Sequence, residues 1–274
     1  MKNIHYSVPV TGAPPFPVRA RMDGFGPRLV LLVHGFGCAG DSFAPFHDDA
    51  RWREDYTVCS FDLPGHGGAP SAGRSAHDQL SLYAEITAGL ARTLRFDEVH
   101  LVAHSMGGAV GLLAASSIPG LASFTSIEGN LVGEDCGLVS RNTASQSLRD
   151  YVREGHSDFL ASLSASAAPD LRAWSEWYGR AAPAVLHSAA RSMVAWCDSG
   201  ELVPLWESLP RPTYVYGERT GFPEHGAGKR LYRSAVEIPG SGHFAMVDAP
   251  ETLNKALWTV LESARNPEGT AAGR

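Results

Sequence analysis

Ser105, Glu128 and His243 are the residues whose types and order along the chain could together break an acyl bond. A serine hydroxyl is a weak nucleophile near neutral pH. It needs a base within hydrogen-bond reach, and the base needs a partner that fixes its tautomer and stabilises its charged form. Ser105 stands in Val102-Ala103-His104-Ser105-Met106-Gly107-Gly108, where an apolar run stops at a serine flanked by small residues. Residues 98–103 read as a buried strand, and residues 106–117, rich in Ala, Gly and Leu, as a helix packed against it. Ser105 therefore sits on a strand-to-helix turn, and a turn that sharp leaves room only for small residues on either side, here Ala103 and Gly107. The turn pushes Ser105 into a dihedral region that ordinary loops avoid. It also sets the hydroxyl near the positive end of the next helix, with the Met106 N–H free to bind a developing oxyanion.

The elements that must hold these residues follow from the pattern around them. Arg28–Val33, Tyr56–Phe61, Leu121–Ile127, Pro212–Gly217 and Ser234–Ile238 read as further strands, and the span Ala76–Leu94 has apolar residues at helical spacing. Strands alternating with helices predict a parallel sheet covered on both faces. Residues Ile4 to Met22 read as two β segments, with Pro14, Pro15 and Pro17 marking an edge. Glu128 follows the Leu121–Ile127 run, at the strand end where ligands bind in open α/β sheets. His243 lies on the glycine-rich stretch Ile238-Pro-Gly-Ser-Gly242-His243-Phe244.

Four stretches in this order resemble the α/β-hydrolase family: the strand running into His34-Gly35-Phe36-Gly37, the Phe61-Asp62-Leu-Pro-Gly65-His66-Gly67 turn, the Ser105 turn, and the His243 loop. The resemblance runs from about Val30 to about Leu261. It implies a mostly parallel eight-stranded sheet flanked by helices, with an inserted helical cap. It also implies Ser105 as nucleophile, His243 as base and the Phe36 N–H as the second oxyanion donor beside Met106, with Asp62 and His66 in scaffold roles. Ala103 departs from the family's usual glycine. The acid stays open: many members carry it in a Gly-x-x-Asp pattern after the strand that follows the cap, but here that stretch reads Gly217-Glu218-Arg219-Thr220. Another branch places the acid one strand earlier, where Glu128 stands; Glu218 and Asp135 are the alternatives. Asp248 is expected to cap the final helix by accepting from the backbone near Glu251.

From Leu131 to Leu209 the strand pattern ceases and helical stretches appear, as at Ser147–Leu163 and Leu171–Tyr178. Residues 131–209 are read as the cap, and residues 1–130 and 210–274 as the core domain. The cap aromatics Trp174, Trp177, Tyr178, Trp196 and Trp206 are expected to divide between an acyl pocket and the cap's own core, most of them to the core, with Trp174, Trp177 and Tyr178 the pocket candidates.

Composition narrows the function further. A net charge of −6 supplies no basic field, which argues against a nucleic-acid partner. Four dispersed cysteines without a Cys-x-x-Cys pair signal neither zinc nor a disulfide framework, and no metal or organic cofactor is required. The N-terminus lacks a signal pattern and no run of about 18 apolar residues exists, so a cytoplasmic protein without a membrane partner is expected. Serine at position 105 disfavours the dehalogenase and epoxide-hydrolase chemistries of this fold, which need a carboxylate nucleophile. It suits hydrolysis of an ester, thioester or lactone of a small to medium apolar substrate through an acyl-enzyme. Carbon–carbon hydrolysis of activated diketones, or a small-molecule receptor on the same scaffold, are the alternatives.

Overall fold

The structure is a computed structural model describing residues 2–72, 78–224 and 226–265. The residues before Asp78 in the expected helix, and the tail from Asn266 that reads as frayed, lie outside the described residues. The strands are β1 (Lys2–Val10), β2 (Ala13–Gly24), β3 (Arg28–Val33), β4 (Tyr56–Phe61), β5 (Val99–His104), β6 (Leu121–Ile127), β7 (Pro212–Gly217) and β8 (Ala235–Ile238). They form one eight-stranded sheet in the order β1-β2-β4-β3-β5-β6-β7-β8. β1 and β2 are antiparallel to their neighbours, and the strands from β4 to β8 in that order are parallel. Pro14, Pro15 and Pro17 occupy the half of β2 that pairs with β1 alone, because pairing with β4 begins at Ala20. The missing N–H groups therefore cost little there.

Alternation along the strands divides the core between the two faces. Leu29, Leu31, Val33, Leu101 and Ala103 enter one apolar cluster, while Val30, Leu32 and Val102 enter the other. The first cluster is closed by the helices Gln79–Leu94 and Met106–Ala115, and the second by Pro250–Arg265. In that last helix Leu253, Leu257 and Leu261 recur every four residues and are fully buried. Burying each such leucine contributes about 1.5–3 kcal/mol.

Between β6 and β7 the chain is helical: Leu138–Ser145, Leu148–Asp150 running through a π turn into His156–Ser164, Pro169–Tyr178, Pro183–Ser199 and Leu202–Ser208. Polar contacts fasten this segment to the rest of the chain. Asp78 accepts from Ser192 Oγ (2.7 Å) and Trp196 Nε1 (3.0 Å), and Ala182 N–H donates to Gly65 O at 2.7 Å. Among the described residues no helix is long and apolar enough to cross a membrane.

Candidate active site

Ser105 follows β5 directly and caps the Met106–Ala115 helix with φ 52° and ψ −124°, a left-handed conformation that costs a non-glycine residue about 1–3 kcal/mol. Hydrogen bonds on both sides fix it there. Its N–H donates to Ile127 O at 2.9 Å, and its carbonyl accepts from Gly108 N at 2.7 Å. Close packing explains the small neighbours: a Cβ on Gly107 would lie 2.5 Å from Val33 O, and one on Gly35 would lie 2.9 Å from Ser105 Cβ. The helix can thus press against the exit of β3. Among the described residues, neither the Met106 N–H nor the Phe36 N–H donates to a protein acceptor.

Glu128 directly follows β6, the neighbour of β5, and also has positive φ, 50°. Its side chain is 4% exposed. Oε1 accepts from Gly217 N–H at 2.7 Å, and Oε2 lies 3.4 Å from His243 Nδ1. Of the three carboxylates in question, Glu128 is the one brought to the histidine. Glu218 is exposed and accepts from Gly240 N at 2.7 Å, and Asp135 Oδ2 accepts from the Leu131 and Val132 N–H groups at 2.8 and 2.9 Å. Asp248 departs from the expected helix cap. It belongs to the short helix Ala245–Asp248, and its Oδ2 accepts from Gly242 N (2.9 Å) and Arg219 Nη2 (2.6 Å), bracing the His243 loop.

A residue without an expected role completes this bracing. His104 is fully buried, lines the cavity and reaches across to donate from Nε2 to His243 O at 2.9 Å. Its ring lies 4.8 Å from that of His243. Burial, reinforced by the neighbouring His243, pushes its pKa well below the usual imidazole range, so it acts as a neutral donor. The only sequence signal was its place beside Ser105. His34 is held neutral in the same way, its pKa lowered to about 4 by burial; Nε2 accepts from Leu63 N–H at 3.0 Å, which leaves Nδ1 to donate to Gly35 O. Asp62 receives Gly40 N–H and Gly68 N–H at 2.8 and 2.9 Å, ordering the rim rather than reaching His243.

Ser105, Glu128 and His243 open on one cavity of about 370 Å³. Its apolar wall includes Phe36, Trp174, Tyr214, Phe222 and Phe244. Of the three aromatic residues expected in the pocket, the wall takes Trp174, whose Nε1 donates to Phe36 O at 3.0 Å. Trp177 and Tyr178 lie behind it. Trp177, on another face of the helix, is buried against Phe244 in the second core cluster. Tyr178 is one turn from Trp174, fully buried against Phe36, with its hydroxyl bonded to that of Tyr151. The Thr220–Pro223 stretch, where the sequence leaves the commonest family pattern, also forms part of the wall. Among the described residues no cluster of His, Cys, Asp or Glu is arranged to hold a metal ion.

The sequence profile of the alpha/beta hydrolase family matches residues 30–256, and the chain belongs to that family. It is 27% identical over 264 residues to the 2-(acetamidomethylene)succinate hydrolase of Mesorhizobium japonicum, covering 90% of this chain and 92% of that one. A thermophilic esterase from Thermogutta terrifontis shares the fold with a TM-score of 0.75 at 20% identity, over 96% of this chain and 99% of that one. The N-acyl homoserine lactonase AidH, complexed with N-butanoyl homoserine, shares it with a TM-score of 0.74 at 18% identity, over 97% and 98%.

Proposed function

We propose that this protein is a serine hydrolase that cleaves a carboxylic ester, thioester or lactone of a small to medium, largely apolar substrate through an acyl-enzyme on Ser105. The observation that carries the reading is the convergence of Ser105, Glu128 and His243 on one apolar-walled cavity. Glu128 holds the Nδ1–H of His243, which leaves Nε2 to take the Ser105 proton as the hydroxyl attacks the substrate carbonyl. The tetrahedral oxyanion is received by the N–H groups of Phe36 and Met106, helped by the N-terminus of the Met106–Ala115 helix. His243 then returns the proton to the leaving group and activates water for deacylation. Neither step requires a metal.

The test is a panel of p-nitrophenyl esters of graded acyl length alongside acyl thioesters, lactones and 2-(acetamidomethylene)succinate, with Ser105→Ala as the blank. Ser105-dependent release from at least one acyl class is expected. Equal turnover by the variant would remove the covalent mechanism.

A further inference from the structure

We propose that the cavity admits neutral or cationic substrates and rejects those carrying a carboxylate near the reacting acyl group. This deepens the reading of Ser105 as an acyl-transfer nucleophile and rests on it. The wall holds two fixed carboxylates, Glu128 and Asp135, and among the described residues no lysine or arginine lines it. His104 adds no positive charge because it is kept neutral. Tyr214, on the same wall, reports the local field: burial raises its pKa, and the negative charges of Glu128 and Asp135 raise it further.

Three arginines of the flanking segments are held by acceptors of their own. Arg219 is bonded to Asp248 and the Gly240 carbonyl, Arg141 to Asp198 and the Gly133 carbonyl, and Arg180 to Asp41. A substrate carboxylate entering here loses its water against apolar rings and meets like charge without a cation to receive it. An ammonium group finds the opposite: two carboxylates and the aromatic rings of Phe36, Trp174 and Phe244. By this account the succinate in the name of the Mesorhizobium relative is a poor substrate for this chain.

The experiment compares three p-nitrophenyl esters of similar length: methyl p-nitrophenyl adipate, its free-acid form mono-p-nitrophenyl adipate, and p-nitrophenyl 5-(trimethylammonio)pentanoate. The expected result is kcat/KM at least tenfold lower for the free acid than for the methyl ester, with the cationic ester equal to or better than the methyl ester. Two variants test the cause. Asp135→Asn keeps an acceptor for the Leu131 and Val132 N–H groups, and Thr220→Arg adds a cation at an exposed residue of the wall. Each should shrink the kcat/KM ratio of methyl ester to free acid severalfold, whatever it does to the methyl ester alone. Should Asp135→Asn fold poorly, Thr220→Arg carries the test alone. Equal cleavage of acid and methyl ester overturns the proposal, and so does a penalty that neither folded variant changes. If no ester shows Ser105-dependent cleavage, the hydrolase reading itself falls, a distinct outcome from cleavage without charge preference.

Discussion

Glu128→Gln separates the roles of the acids because the structure dictates how the amide must sit. Gly217 N–H donates to Glu128 Oε1 at 2.7 Å, so the oxygen of a glutamine at 128 is held toward Gly217 and its NH2 group faces His243 Nδ1. That arrangement favours the imidazole tautomer with the proton on Nε2, which cannot accept from Ser105. The negative charge that stabilises the imidazolium is lost as well. Two unit charges about 4 Å apart at an effective dielectric near 20 interact by about 4 kcal/mol. The His243 side chain is 41% exposed, and water screens part of this. A loss of roughly 3 to 4 kcal/mol remains, which is two to three orders of magnitude in rate.

The assay is kcat on the best p-nitrophenyl ester for Glu128→Gln, Glu218→Gln, His243→Ala and Glu128→Gln combined with His243→Ala, with thermal unfolding confirming that each variant folds. Glu218→Gln should change kcat by less than about threefold, because Glu218 bonds the Gly240 N–H and not the imidazole. The double variant should be no slower than His243→Ala alone, since the acid acts only through the histidine. A loss with Glu218→Gln as large as that with Glu128→Gln, or additive losses in the double variant, would mean that Glu128 does not act through His243.

His104→Leu removes the donor to His243 O and should lower kcat about tenfold with KM within about twofold, while His104→Gln, which keeps an N–H donor, should recover part of the loss; equal losses from both would reduce His104 to a packing role. Trp174→Phe deletes the donor to Phe36 O while keeping most of the ring, so kcat should fall about three- to tenfold at every acyl length, whereas Trp174→Ala should also change the chain-length preference. Acid should destabilise the fold through its buried neutral imidazoles. The pKa values of His34 and His66 fall from 6.5 to about 4 and about 3, so the unfolded chain takes up protons first. Their contribution is complete above about pH 6.5 and is lost as pH falls toward about 4, by up to roughly 1.4 kcal/mol per pH unit for each histidine. Urea midpoints at pH 7, 6 and 5 should decline, and a flat series would contradict this.

The sheet was legible in the sequence because its strands are short apolar runs bounded by glycine turns, and four predicted strands, Arg28–Val33, Tyr56–Phe61, Leu121–Ile127 and Pro212–Gly217, keep their predicted bounds. The region above the sheet was harder to read. The helix Pro183–Ser199 buries Leu186, Ala189, Ala190, Met193 and Cys197 at helical spacing, but its alanines and serines mute the apolar signal. Trp177 and Tyr178 could not be separated from Trp174 by composition, because which face of a helix meets the cavity depends on how the helix docks. The carboxylate beside His243 was legible only as a choice among Glu128, Glu218 and Asp135; the pairing of β6 with β7, which hands the Gly217 N–H to Glu128, is a long-range fact. His104 and Asp248 also brace the His243 loop through contacts distant in sequence or geometry that local patterns do not encode.

A covalent acyl-enzyme on Ser105 is trapped by rapid acid quench of the enzyme mixed with a p-nitrophenyl ester and read by intact-mass spectrometry. A mass increase of one acyl group is expected, mapped by peptide digestion to the segment containing Ser105 and absent in Ser105→Ala, with a p-nitrophenol burst of about one equivalent where deacylation is slower than acylation. Turnover of the same ester with the acyl group on another residue, or undiminished in Ser105→Ala, would contradict it.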